Sequence, residues 1–293
     1  DLYVRRFRKD VIDDLRSNVK NRDTKYVDCV ATNIEECVFA QLKDLKLPDT
    51  DSKAKAGQLF KTTLAKSLLS SPMAALETVL NRLKRLEFSS IDFSDDIDVL
   101  KKLSSLLEVI SKSDFSKYQR LLELIKSDWK WNGKDPKDRI LIFTGRRETQ
   151  RFLVENLAYD LGIEDEAVMS IDGSMQDVLL TELVEKFAQE REKLRILIAT
   201  EVASEGINLH YLCHRLLHFD IPWSLMTLQQ RNGRIDRYGQ KKQPQIRYLI
   251  TQSQSEGMGD ADKILRLLIN KDQQAQENIG DPSVFLKLFD AEK

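Results

Sequence analysis

RILIATEVASEGINL at residues 195–209, followed by LLHFDIPWSLMTLQQRNGRIDRYGQ at residues 216–240, decides how this chain is organised. Ile196 to Ala199 is a continuous apolar run of strand length, and Thr200 and Glu201 open a turn that contains Gly206. Leu216 to Phe219 is a second apolar run, after which a helical rhythm continues to Arg237. Arg234 and Arg237 stand three residues apart, so on a helix both guanidinium groups leave one face and can reach one anion. A phosphate chain suits such planar, permanently charged donors.

Outward from this stretch the same rhythm repeats. Ile140 to Phe143 reads as a strand buried on both faces, and a helix over Arg147 to Leu161 stops at Gly162. Val168 to Ile171 is the next strand, Met175 to Gln189 the next helix, and Ile246 to Ile250 the last strand. Strands separated by single helices imply right-handed crossovers and a largely parallel sheet, an α/β fold. Ligands of such sheets bind at the carboxyl ends of the strands, where Thr144, Asp172-Gly173 and Thr200-Glu201 fall.

Upstream, a strand over Tyr26 to Ala31 precedes Asn33 and Glu36, whose spacing suggests a capping box. From Lys53 to Trp131 the apolar spacing is helical throughout, with Ser71 suited to an N-cap and Pro72 to the first helical position. Asn132-Gly133-Lys134-Asp135-Pro136 has the turn chemistry of a linker. The expected division is therefore a linker or brace over 1–24, a mainly helical subdomain over 25–132, a sheet domain over 133–255 and a helical tail over 256–293. The brace carries the basic residues Arg5, Arg6, Arg8 and Lys9, and the tail a helix from Ala261 to about Gln276.

Lys and Arg number 46 against 47 Asp and Glu, so any surface for a polyanion must be local rather than a property of the whole chain. Three cysteines do not make a disulfide framework and point to a reducing compartment, the cytoplasm of a bacterium or the nucleus of a eukaryote. No apolar run has membrane-spanning length. The sequence starts at Asp1 rather than Met, which suggests a fragment or a processed product.

Read together, ILIFTGRRETQRFL, SIDGSM, ILIATEVASEGINL, HFDIPWS and QRNGRIDRYGQ resemble, in order and spacing, the second RecA-like lobe of superfamily 2 helicases and translocases. They are most similar to the Swi/Snf-type double-stranded-DNA translocases, especially bacterial members such as the RNA-polymerase-recycling and phage-defence translocases. The likeness covers roughly Lys137 to Tyr248, and YVRRFRKDV resembles the segment that joins the two lobes. It implies a RecA-like parallel sheet, with ATP and Mg²⁺ bound mainly by an N-terminal RecA-like lobe outside these residues. QRNGRIDR matches the family pattern QxxGRxxR, which makes Arg234 and Arg237 the counterparts of the arginine fingers and Gln230 of the residue that couples nucleotide to the site. Glu205, Gly206 and Asn208 fall where relatives approach the nucleotide. Thr144, Arg146, Arg147, Thr200 and Asp172 fall where relatives meet a nucleic-acid backbone, which positions a phosphate without reading sequence. Two positions depart from the pattern: Asn232 stands where an apolar residue is usual and Tyr238 where Ile is common.

Other signals are weaker. Asp165-Glu166-Ala167-Val168 imitates a DExH box but does not follow an apolar strand. His210, Cys213, His214 and His218 have metal-like spacing, yet the last two straddle a loop and a strand, so no metal site is expected. GxxxxGK[ST] is absent from the 293 residues, so half an ATPase site is expected, and the chain alone should not hydrolyse ATP. The alternatives are an RNA helicase lobe, disfavoured by Gln230 and the trailing YGQ, and a non-enzymatic module that docks a polymerase or defence complex through the helical segment.

Overall fold

The computed structural model describes residues 22–45, 54–87, 94–200, 208–237, 239–255 and 258–278. Its centre is a six-stranded sheet made of β1 (Asp23–Val30), β2 (Arg139–Phe143), β3 (Val168–Ile171), β4 (Ile196–Ala199), β5 (Cys213–His218) and β6 (Gln245–Gln252). The order is β1-β6-β5-β2-β4-β3 and every pair is parallel. β2 and β4 are buried along their whole length, which is why their sequences are unbroken apolar runs. β1 sits at an edge and alternates in burial towards its end, Val27 and Cys29 inward, Asp28 and Val30 outward.

The helices among the described residues are α1 (Asn33–Ala40), α2 (Ala54–Ser70), α3 (Pro72–Glu87), α4 (Ser94–Glu108), α5 (Ser116–Glu123), α6 (Arg147–Leu161), α7 (Asp177–Ala188), α8 (Leu225–Asn232) and α9 (Met258–Asn278). The sheet and its flanking helices form a RecA-like α/β fold. Pro72 does open α3, and Ser71 Oγ accepts the Ala74 N–H at 3.1 Å as its cap. Gly162 closes α6 in the left-handed conformation, φ 69°.

The capping box of α1 is one residue earlier than the spacing suggests. Thr32 caps the helix, with its backbone N–H donating to Glu35 at 2.9 Å. Glu36 is engaged elsewhere, accepting from Ser253, Gln254 and Ser255 beyond β6. After α5 the chain widens into a π-helical turn over Leu124–Asp128, in which the Trp129 N–H reaches back five residues to the Leu124 carbonyl. The DExH-like Asp165–Ala167 is a 3₁₀ turn leading into β3.

One hydrophobic cluster runs through the helical segment and the sheet alike, from Val27 to Ile269. Aromatic side chains form the seam: Phe115 lies 5.8 Å from Phe152 and 5.9 Å from Phe219, and Tyr118 packs edge-on to Phe152 at 4.9 Å. Arg139 is fully buried, donating to the Lys186 and Gln189 carbonyls at the end of α7 and to Pro136. Such a cation satisfies the orphan carbonyls of a helix end. Burial brings its pKa down to about 10, with Arg195 adding to the effect. Among the described residues no helix is long and apolar enough to cross a membrane. The basic cluster at residues 5–9 and the end of the tail lie outside the described residues.

Candidate functional site

Two groups of polar side chains gather the motif residues. The first lies at the carboxyl ends of β2, β3, β4 and β5. Thr144 is fully buried there, and its hydroxyl donates to Asp220 Oδ2 at 2.7 Å. Asp220 also accepts from the Gly145 N–H at 2.6 Å and from Ser70 Oγ at 2.6 Å. Ser70 and Ser71 each meet Thr149 Oγ1, at 2.8 and 2.6 Å. One aspartate thereby holds the loop after β2, the junction of α2 with α3, and the end of β5 in one arrangement. Charge-assisted bonds of this kind are about twice as strong as neutral ones.

The arginines of this group differ. Arg146 Nη2 turns towards the Thr63 carbonyl at 3.4 Å, while Arg147 stays exposed, 3.7 Å from Asp172. Ser174 donates twice to Asp172, and these bonds, with Arg147 behind them, hold its carboxyl below the usual aspartate range. Thr200 is buried, and its N–H continues the sheet to Ile171 at 3.1 Å. Gln150, which motif reasoning passed over, bridges the same edge by donating to the Ile171 and Ile198 carbonyls at 2.9 and 3.0 Å.

Beside this group is a cleft of about 400 Å³ whose lining includes Lys66, Ser70, Lys117, Arg146, Asp220 and Trp223. Lys66 lies 5.1 Å above the Trp223 ring. Lys117 is buried, donates to the Leu69 carbonyl at 2.5 Å, and has its amine pKa lowered by desolvation against the opposing pull of Asp220.

The second group is the turn after α8. The helical rhythm suggests a helix as far as Arg237, but α8 ends at Asn232. Beyond it the bonds tighten: Arg234 N–H reaches Arg231 and Ile235 N–H reaches Asn232, three residues back, while Asp236 still reaches Asn232 four back. Arg234 is consequently half-buried and Arg237 exposed, so the two guanidinium groups do not share one helix face equally. Arg237 Nη1 donates to the Asn208 side-chain oxygen. Gln240 Nε2 fastens the turn to the same loop through the carbonyls of His210 at 3.1 Å and Cys213 at 2.9 Å. Gln230 is exposed on α8. Glu205, Gly206 and Tyr238 lie outside the described residues.

Arg231, which the motif pattern did not single out, is fully buried; it donates to the Asp220 carbonyl at 3.1 Å and lies 5.1 Å over the Phe143 ring. It links the two groups. The histidines are dispersed: His218 stacks between Phe143 and Tyr248, His210 stacks on Tyr211, and His214 lies 3.8 Å from Asp138.

Residues 116–239 match the helicase conserved C-terminal domain family. Over those residues the chain is similar to helicase C-terminal domains. Two bacterial proteins are among its relatives. The uncharacterised ATP-dependent helicase YqhH of Bacillus subtilis is 29% identical over 266 residues, which are 90% of this chain and 42% of that protein. The RNA polymerase-associated protein RapA of Pectobacterium carotovorum is 47% identical over 60 residues, 20% of this chain and 6% of RapA. The chain therefore spans less than half the length of these relatives. Among solved structures, the C-terminal part of the Fun30 ATPase domain superposes with a TM-score of 0.55 at 18% identity, covering 84% of this chain and 90% of that one.

Proposed function

We propose that this helicase lobe forms one side of the ATP site of a double-stranded-DNA translocase. ATP with Mg²⁺ would be held mainly by an N-terminal RecA-like lobe of the same protein. The carrying observation is the junction of the Arg237 guanidinium with Asn208 on an exposed turn, which brings two separate helicase motifs to one surface point. The residues present fit one side of a bound nucleotide, offering cations and an amide. The loop that cradles β- and γ-phosphates is absent from this sequence. Arg234 and Arg237 act as fingers towards the γ-phosphate, stabilising charge as it grows on the transferring phosphoryl oxygens. Gln230, Glu205, Gly206 and Asn208 support that contact.

The carboxyl-end group supplies the nucleic-acid track. Exposed Arg147, set by Asp172, meets a phosphate, with Arg146 and Thr200 beside it. Thr144 acts from below, through Asp220, by shaping the loop that presents them. The helical segment between residues 25 and 132 is a surface for a protein partner such as a polymerase or defence complex.

The test uses the full-length protein with duplex DNA and duplex RNA as stimulators of ATP hydrolysis. Duplex DNA should stimulate and RNA should not. Arg234→Ala and Arg237→Ala should each lower kcat by about 10³-fold or more. Unchanged hydrolysis in both variants would overturn the reading in favour of a docking module.

A further inference from the structure

A buried polar chain lies behind the arginine-bearing turn. Asn232, the last residue of α8, is 1% exposed and its side chain is fully used. Nδ2 donates to Tyr248 Oη at 2.8 Å and to Asp272 Oδ2 at 3.0 Å, and Oδ1 lies 2.8 Å from His218 Nε2. With the amide nitrogen committed to a carboxylate, the amide oxygen must accept, so His218 is the donor and carries its proton on Nε2. Asp272, buried on α9, is also paired with Arg22 at 2.5 Å, just ahead of β1.

The Asn232 carbonyl meanwhile accepts from the Ile235 and Asp236 N–H groups at 3.3 and 3.0 Å. One residue thus starts the turn of Arg234 and Arg237 with its backbone and ties that turn to β5, β6 and α9 with its side chain, Asp272 carrying the link on to the chain that leads into β1. An apolar residue would fill the same space without fixing a geometry. Buried polar networks of this kind specify one arrangement more than they stabilise it.

We infer that Asn232 and Asp272 are positioning residues for the arginine turn, making its placement depend on α9 and on the segment at Arg22. The inference rests on the arginine-finger reading above. It predicts that loosening the network lowers the rate of phosphoryl transfer while ATP binding, held by other groups, is kept.

The experiment measures kcat and KM for ATP, with duplex DNA, in the full-length protein, alongside thermal melting. Asp272→Asn keeps the shape and removes the charge; Tyr248→Phe removes one hydroxyl and leaves the core filled. At a temperature where both variants are folded, kcat should fall about tenfold and about threefold respectively, with KM within about twofold of the parent. If both melt earlier yet keep kcat within twofold, the network is only structural and the inference fails. If Asp272→Asn does not fold, Tyr248→Phe decides by the same criterion. Should Arg234→Ala and Arg237→Ala leave hydrolysis intact, the finger reading falls and takes this inference with it. Should they abolish hydrolysis while the network variants do not lower kcat, this inference alone falls.

Discussion

Thr144 at the end of β2 donates a 2.7 Å hydrogen bond to Asp220 just past the end of the neighbouring strand β5. Its hydroxyl oxygen also accepts the Arg146 N–H at 3.3 Å. The side chain is therefore a brace for the loop that follows. Thr144→Val removes the hydroxyl at nearly constant volume and weakens the support of a carboxylate. Chemical denaturation should show a loss of about 1–3 kcal/mol, with Thr144→Ser close to the parent.

Arg147 and Arg146 should separate in a binding experiment. Arg147 is exposed beside Asp172, whereas Arg146 is turned towards a backbone carbonyl of α2. In the full-length protein, Arg147→Ala should weaken duplex binding and reduce the slope of log K against log salt by about 1. Titration by fluorescence anisotropy at several salt concentrations reads both quantities. An unchanged slope would remove Arg147 from the track.

His214 provides a pH test of the fold. Burial, with Lys242 and Arg215 nearby, lowers its pKa from 6.5 to about 4. The unfolded chain therefore binds a proton that the folded one refuses, and stability present above pH 6.5 drains away as the pH falls towards 4. The full effect is about 3 kcal/mol. Asp138 and Glu35, whose carboxyls burial pushes upward, work in the opposite sense. The comparison must then be between proteins: His214→Gln should lose less stability than the parent between pH 7.5 and 4.5 in urea titrations.

Gly162 tests backbone conformation alone. Its φ is +69° and a Cβ there would meet nothing within 4 Å. Gly162→Ala should cost about 1 kcal/mol in thermal or chemical unfolding, from the left-handed conformation and not from crowding, and Gly162→Asn should cost less.

How much of this was legible depends on the range of the forces involved. The strands Ile140–Phe143 and Ile196–Ala199 follow from apolar runs buried on both faces, a property each segment carries by itself. The end of α6 follows from Gly162 in the same way. The end of α8 does not, because the residues up to Arg237 satisfy helical spacing equally well. At that end Asn232 is held by side-chain bonds to His218, Tyr248 and Asp272, the last of them 40 positions away. Asp220 escaped notice for the same reason: it looks like any strand-end aspartate until Ser70, 150 positions earlier, is placed against it. Asn232 left a trace only as a polar residue where the family pattern is apolar, and its partners supply the explanation.

The parallel pairing of β1 with β6 has a mechanical consequence. Eight positions are matched, from Asp23 with Gln245 to Val30 with Gln252. Tension between the chain at Arg22 and the chain beyond Gln252 would pull on opposite ends of these two strands. Such a pull loads the rungs together in shear rather than opening them one at a time, the stiffer way to hold a paired ribbon. A force applied between those two points would thus meet the pair along its strongest direction.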